Sequence, residues 1–230
     1  FNAKGMLCYQ QGQNKEAIHW FQKGLNLCKK RGLSGAYYLY PLLINNLGLA
    51  NSEINEFSLA EKYFLTAIAL YNKQKKYDPL SYGTTLSNLG TVYLGREDYS
   101  QAESTFRDAL VKFEEANNFN ENRNYVLIIN DLAQINQSKG DNFKAKMMFY
   151  QAKKIKQKQY KNYEEDLEYI LILNNIGLTH YSLKEYKTAK DTYQEAILLI
   201  KKHFLENINL YSILHSNLAL LYEKIGEQDN

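Results

Sequence analysis

The chain has 230 residues, 45% hydrophobic and 23% charged, with a formal net charge of +3. These values exclude a disordered polymer, and the charge is too small to imply nucleic acid by itself. No window approaches the ~18 apolar residues that a membrane-spanning helix needs, and no signal peptide is visible. The chain contains only 2 prolines, which permits long uninterrupted helices because interior proline breaks them.

The elements repeat from the first residues onward. A helix already under way at Phe1 carries Gly5, and a returning helix carries Ala17, Phe21 and Gly24. The next copy has Gly48, then Ala60, Phe64 and Ala67; the third has Gly90, then Ala102, Phe106 and Ala109. The fourth has Ala133, Ala145, Phe149 and Ala152, and the fifth has Gly177, Ala189, Tyr193 and Ala196. Ala219 opens a sixth copy, and the steps between equivalent residues are 42–44 throughout. Small residues suit places where helix axes approach closely. The aromatic four residues after each alanine falls on the same helix face.

Within one copy, helix A shows the stripe Ile44, Leu47, Gly48, Asn51 and helix B the stripe Ala60, Phe64, Ala67, Leu70. Turn residues lie between them, as in Gly95-Arg96-Glu97-Asp98 and Lys139-Gly140-Asp141-Asn142, with Asp98 and Ser100 as candidate N-caps. Copy four departs, with Ala133 in place of glycine and Phe143 one place later than Tyr99 or Tyr186. The cysteines, Cys8 and Cys28, fall on opposite members of a helix pair, too far apart for a disulfide, and read as buried small hydrophobes.

The segments NNLGLANSEINEFSLAEKYFLTAIALY and SNLGTVYLGREDYSQAESTFRDALVKF resemble tetratricopeptide repeats. The period exceeds the usual ~34 residues. It resembles the longer-helix variety of kinesin light chains and bacterial peptide-sensing regulators. Tyr77-Asp78-Pro79-Leu80, followed by Thr84-Thr85-Leu86-Ser87-Asn88-Leu89-Gly90, is closest to the light-chain style. The resemblance implies an all-α, right-handed superhelical solenoid of antiparallel helix pairs, with about five and a half repeats. One domain spans residues 1–230, divided near 1–40, 41–82, 83–125, 126–169, 170–211 and a half repeat at 212–230. Helix A of copy six ends near Ile225, and residues 226–230 read as the turn into a further helix, so the sequence reads as a fragment of a longer protein.

If Ile44, Leu47, Gly48 and Asn51 face the core, the opposite stripe of helix A lines a concave groove. There stand Asn46, Asn88, Asp131, Asn175 and Asn217, beside Asn45, Asn130 and Asn174. An amide both donates and accepts, which matches the alternating groups of an extended peptide. Similar ladders grip peptide backbones in related repeat families. Leu49, Leu127, Leu171, Leu178, Ile213 and Leu220 are candidate apolar anchors, and Asp131 and Gln134 suit a basic or amide group. The same asparagines also suit a purely structural role, bonding neighbouring helices.

No histidine pair has metal-ligand spacing, and no phosphate loop or nucleophile grouping appears. His180 falls in an inner column with Tyr93 and Tyr222 and reads as a core substitution. Lys144, Lys146, Lys153, Lys154, Lys156, Lys158 and Lys161 form a basic run that reads as a solvated helix-B face. The expected function is a non-catalytic protein- or peptide-binding scaffold without metal or cofactor. The alternatives are the sensory region of a bacterial histidine kinase or transcriptional regulator, and a structural spacer or oligomerisation unit associating through open solenoid ends. The expected compartment is cytoplasmic, or periplasmic if the parent carries a signal peptide.

Overall fold

The computed structural model describes residues 1–32, 39–74, 76–116, 122–159 and 161–226. Among them are eleven α-helices and no strand. They are α1 (Asn2–Gln10), α2 (Asn14–Lys30), α3 (Leu39–Ser52), α4 (Phe57–Lys73), α5 (Pro79–Gly95), α6 (Tyr99–Glu114), α7 (Arg123–Ser138), α8 (Asn142–Gln159), α9 (Leu167–Ser182), α10 (Tyr186–His203) and α11 (Ile208–Gly226). A single 3-10 turn, Tyr163–Glu165, precedes α9. Odd-numbered helices are helix A of each repeat and even-numbered ones helix B, so the chain is an all-α repeat solenoid. Residues 227–230 of the expected final turn lie outside the described residues.

Two compact units divide the chain, Phe1–Phe119 and Asn120–Asn230. The first holds three helix pairs, α1 to α6; the second holds two pairs and α11. No helix among the described residues is long and apolar enough to cross a membrane.

All five A-to-B turns use one backbone device. Gly12, Asn55, Glu97, Gly140 and Lys184 occupy the same place in each copy, and all have φ between 61 and 82°. The N–H of each donates to the carbonyl three residues back, and the next N–H donates to the carbonyl five back; in copy three these are Glu97 to Leu94 and Asp98 to Tyr93, both at 2.9 Å. That is the left-handed helix-ending motif, which satisfies carbonyls the helix would otherwise orphan. Copy four makes the same bonds through Gly140 and Asp141, so its sequence departure leaves the turn unchanged. Asp98 is the cap of α6, accepting from the Gln101 N–H at 3.1 Å, whereas Ser100 lies inside the helix.

Helices A and B of each copy meet at a ring set into a notch. A Cβ added to Gly5, Gly48, Gly90 or Gly177 would lie 2.4–2.6 Å from Phe21, Phe64, Phe106 or Tyr193. Real Cβ atoms do not approach that closely, so glycine lets the ring seat directly on the backbone of helix A. Copy four has Ala133 and Phe149 at the two equivalent places, and both are fully buried. The alanine column contributes the rest of the close approach: Ala17, Ala60, Ala102, Ala145 and Ala189 have no exposed surface. Cys8 and Cys28 are buried and free, as small hydrophobes would be. Gly90→Val forces two methyl groups into the Phe106 ring and should lower stability by about 2–3 kcal/mol in denaturant unfolding. Gly95→Ala in the same helix meets only Phe57, at 4.0 Å, and should be neutral or mildly stabilising. Equal effects from the two changes would contradict the notch.

Candidate functional site

The helix-A asparagines bond to one another in a fixed direction. In the first unit, Asn46 Nδ2 donates to Asn2 Oδ1 at 2.9 Å and Asn88 Nδ2 to Asn45 Oδ1 at 3.0 Å. Asn45 Nδ2 donates in turn to Asn46 Oδ1 at 3.3 Å. In the second unit, Asn175 Nδ2 donates to Asn130 Oδ1 at 3.1 Å and Asn217 Nδ2 to Asn174 Oδ1 at 2.8 Å. Apart from Asn45–Asn46 within α3, each bond joins an amide to the neighbouring column of the preceding repeat, tying successive A helices together. A bond of this kind contributes about 1 kcal/mol net, and its larger effect is to penalise any arrangement that leaves a buried amide unpaired.

The two units differ in what remains reachable. Asn45 and Asn46 are buried in α3, inside the protein rather than on the open face their stripe predicts, with amide groups turned to one another and to Asn2 and Asn88. Asn88 is half-buried. In the second unit only Asn174 is buried; Asn130, Asp131, Asn175 and Asn217 are half-buried and Gln134 is exposed. Among the described residues no donor reaches Oδ1 of Asn175 or Asn217, so these acceptors face solvent. Leu171, Ile213 and Leu220 are 43, 50 and 56% exposed, and Leu127 and Leu178 are half-buried. Leu127 and Leu171 also line a small depression with Asn130 and the ionic pair Lys156 and Glu168.

The basic run is less solvated than its composition suggests. Lys156 is 1% exposed and donates to Asp166 at 2.7 Å and Glu168 at 2.5 Å. Burial works against its ammonium, and the hydrogen bonds it donates to the two carboxylates more than offset this, so its pKa is raised. Arg123 pairs with Glu168 from the other side. Lys146 reaches Glu185 at 2.8 Å and Lys153 reaches Glu195 at 3.4 Å. The remaining lysines of the run are exposed. Part of the run is therefore structural, joining α8 to the repeat that follows it.

His180 is a core residue, as its column predicts: its Nε2 lies 2.8 Å from Tyr150 Oη and its Nδ1 pairs with Glu185. Hydrogen bonds from Lys146 and then from His180 hold the Glu185 carboxyl below its ordinary range. A tyrosine column had gone unread: Tyr40, Tyr82, Tyr125, Tyr169 and Tyr211 recur at the same 42–44-residue step, each eight residues before the small residue of helix A. Tyr82 stacks on Tyr71 and donates to Asn72 at 2.8 Å; Tyr169 packs tilted against Tyr163 and accepts from Gln157 at 3.1 Å. The period alone was enough to find it.

Asp131 replaces asparagine in the ladder, and burial raises its pKa to about 7 despite the opposing Asn130 amide. The sign follows directly. The folded state holds this proton more tightly than the unfolded state, so stability falls as pH rises from about 4 to about 7 and levels off above. Asp131→Asn should therefore raise the unfolding free energy on the order of 2 kcal/mol at pH 8, half the full conversion because the carboxyl keeps some hydration, and by almost nothing near pH 4. A gain that is the same at both pH values would exclude the charge as its source.

Comparison with known proteins bears on this arrangement. Tetratricopeptide repeat family models match residues 1–31, 83–122 and 171–203. No functionally curated protein sequence matches the chain. Among solved structures, BtubC (BKLC) from P. vanneervenii aligns with a TM-score of 0.75 at 18% identity, covering 94% of this chain and 82% of that one. The nearly identical TPR-like repeats of a Podosopora anserina kinesin light chain align at 0.69 and 13% identity, covering 87% and 93%. The quorum sensor NprR from B. thuringiensis, in its apo form, aligns at 0.75 and 19% identity, covering 93% of this chain and 56% of the sensor. The matched segments, the 42–44-residue period and the ring-in-notch helix pairs agree: the chain carries tetratricopeptide repeats and has the fold of these repeat solenoids.

Proposed function

We propose that the chain is a non-catalytic scaffold that holds an extended peptide or protein segment on the amide-bearing face of its A helices. The observation that carries this reading is the half-exposed strip of the second unit. Asn175 and Asn217 offer unspent amide oxygens beside Asn130, Asp131 and Gln134, and exposed Leu171, Ile213 and Leu220 flank them. Polar groups fixed by one another, rather than by the ligand, are preorganised, which lowers the ordering cost of binding. Asn88 is the first unit's contribution, because Asn45, Asn46 and their bonds serve mainly to support it. Asn174 plays the same supporting part under Asn217.

A second reading has its own support. NprR is a quorum sensor solved with its cognate peptide NprX, and that complex also aligns with this chain at a TM-score of 0.63. In this version the array is the sensory region of a larger signalling protein, and the same face is the ligand site. The self-bonded ladder also fits a spacer, in which the amides only fix the pitch of the array.

Replacing Asn88 and Asn175 together by alanine separates these. The change removes two donors from half-buried positions and should cost about 1–2 kcal/mol of stability while leaving helicity intact by circular dichroism. Peptides selected on the unaltered chain from a random display library should bind the variant at least about five-fold more weakly. A folded variant with unchanged affinity would assign the ladder to structure alone.

A further inference from the structure

The direction and spacing of the rungs in the second unit specify more than a generic peptide. Asn175–Asn130 ties α9 to α7, and Asn217–Asn174 ties α11 to α9, one rung per repeat. Packed helices whose side chains meet in this way lie about 8–10 Å apart. A ligand that meets equivalent rungs with equivalent groups must return to the same face over that distance. A β-strand returns to the same face about every 6.7 Å and falls out of step after one rung. A polyproline-II chain completes three residues in about 9.3 Å and stays in step. The apolar column beside the rungs keeps the same stride: Leu127, Leu171 and Ile213 occupy one place in successive A helices.

Charge sets the end of the ligand. Among the described residues no lysine or arginine pairs with Asp131. The cations of the neighbouring depression are committed elsewhere, Lys156 to Asp166 and Glu168 and Arg123 to Glu168. The carboxylate at the α7 end of the strip therefore awaits a cation from outside.

We infer that the second unit selects a polyproline-II peptide with an apolar side chain at every third position and a basic residue at the end that meets Asp131. This rests on the peptide-binding reading and adds a conformation, a side-chain period and a polarity to it. Each apolar side chain enters the Leu127–Leu171–Ile213 column. The amides take the backbone carbonyls and N–H groups that this helix leaves unpaired.

The test is fluorescence anisotropy on the full 230-residue chain with labelled synthetic peptides. One peptide has leucine at every third position, proline between, and a terminal lysine. A second has the same composition with leucine at every second position, and a third carries glutamine in place of the lysine. The first should bind roughly ten-fold tighter than the second. Asp131→Asn should weaken the lysine peptide roughly five- to ten-fold and leave the glutamine peptide unchanged. Leu171→Ser, at an exposed position that folding does not need, should weaken all leucine peptides with the three-residue period. Equal binding of the two periods, preference for the two-residue period, or indifference of the lysine peptide to Asp131→Asn would overturn the inference. Library selection keeps the two levels apart. If the chain captures peptides that lack the period, the inference alone falls; if it captures none, the peptide-binding reading falls as well.

Discussion

Four of the five helix pairs depend on the contact between one aromatic ring and the bare backbone of the helix opposite. Phe21, Phe64, Phe106 and Tyr193 sit where a side-chain carbon on Gly5, Gly48, Gly90 or Gly177 would collide with them. Because the ring lies on the backbone, the two helices cannot slide or rotate without losing a dense contact, and tightly packed interiors resist such changes strongly. The notch thereby fixes which face of helix A turns inward. It also fixes, four residues or fewer away along the same helix, where the amides stand. Copy four carries Ala133 and Phe149 at the same two places, both fully buried.

The amide ladder is a consequence of that fixed register. Once successive A helices lie at one spacing, an asparagine on each can reach its neighbour, and the bonds run in one direction because each amide spends its N–H on the preceding repeat. The first unit closes this network over Asn45 and Asn46, whereas the second leaves part of it open. The two units thus differ in exposure, set by which residues surround chemically similar amides. Asp131 is the exception in the column, and its ionisation works against folding near neutral pH.

Sequence periodicity made most of the fold legible. The alanine, aromatic and small-residue columns correspond to buried positions, apart from exposed Ala219 in α11, and the shared period located every turn. The turn device itself was hidden in part: Gly12 and Gly140 look like turn residues, but Asn55, Glu97 and Lys184 adopt the same positive φ without announcing it. The site was less legible. Helical phase picked out asparagines that bond to one another, but phase cannot tell a solvent-facing stripe from one covered by its neighbours, so Asn45 and Asn46 read as groove residues although they are buried. The lysines of copy four show the same limit. Composition reads them as a solvated face, yet partners some ten residues on in the chain, Asp166 and Glu168, draw Lys156 into the interior.

The central claim is that ligand contacts fall on the open amides of the second unit. Side-chain amide resonances of asparagine report this most directly, because each NH2 group gives its own pair of signals in a nitrogen–proton correlation spectrum. Titration with a library-selected peptide should shift or protect the signals of Asn130, Asn175 and Asn217 and leave buried Asn51 and Asn136 unmoved. Perturbation confined to the helix-B faces of α8 and α10, with the ladder amides unchanged, would contradict the account.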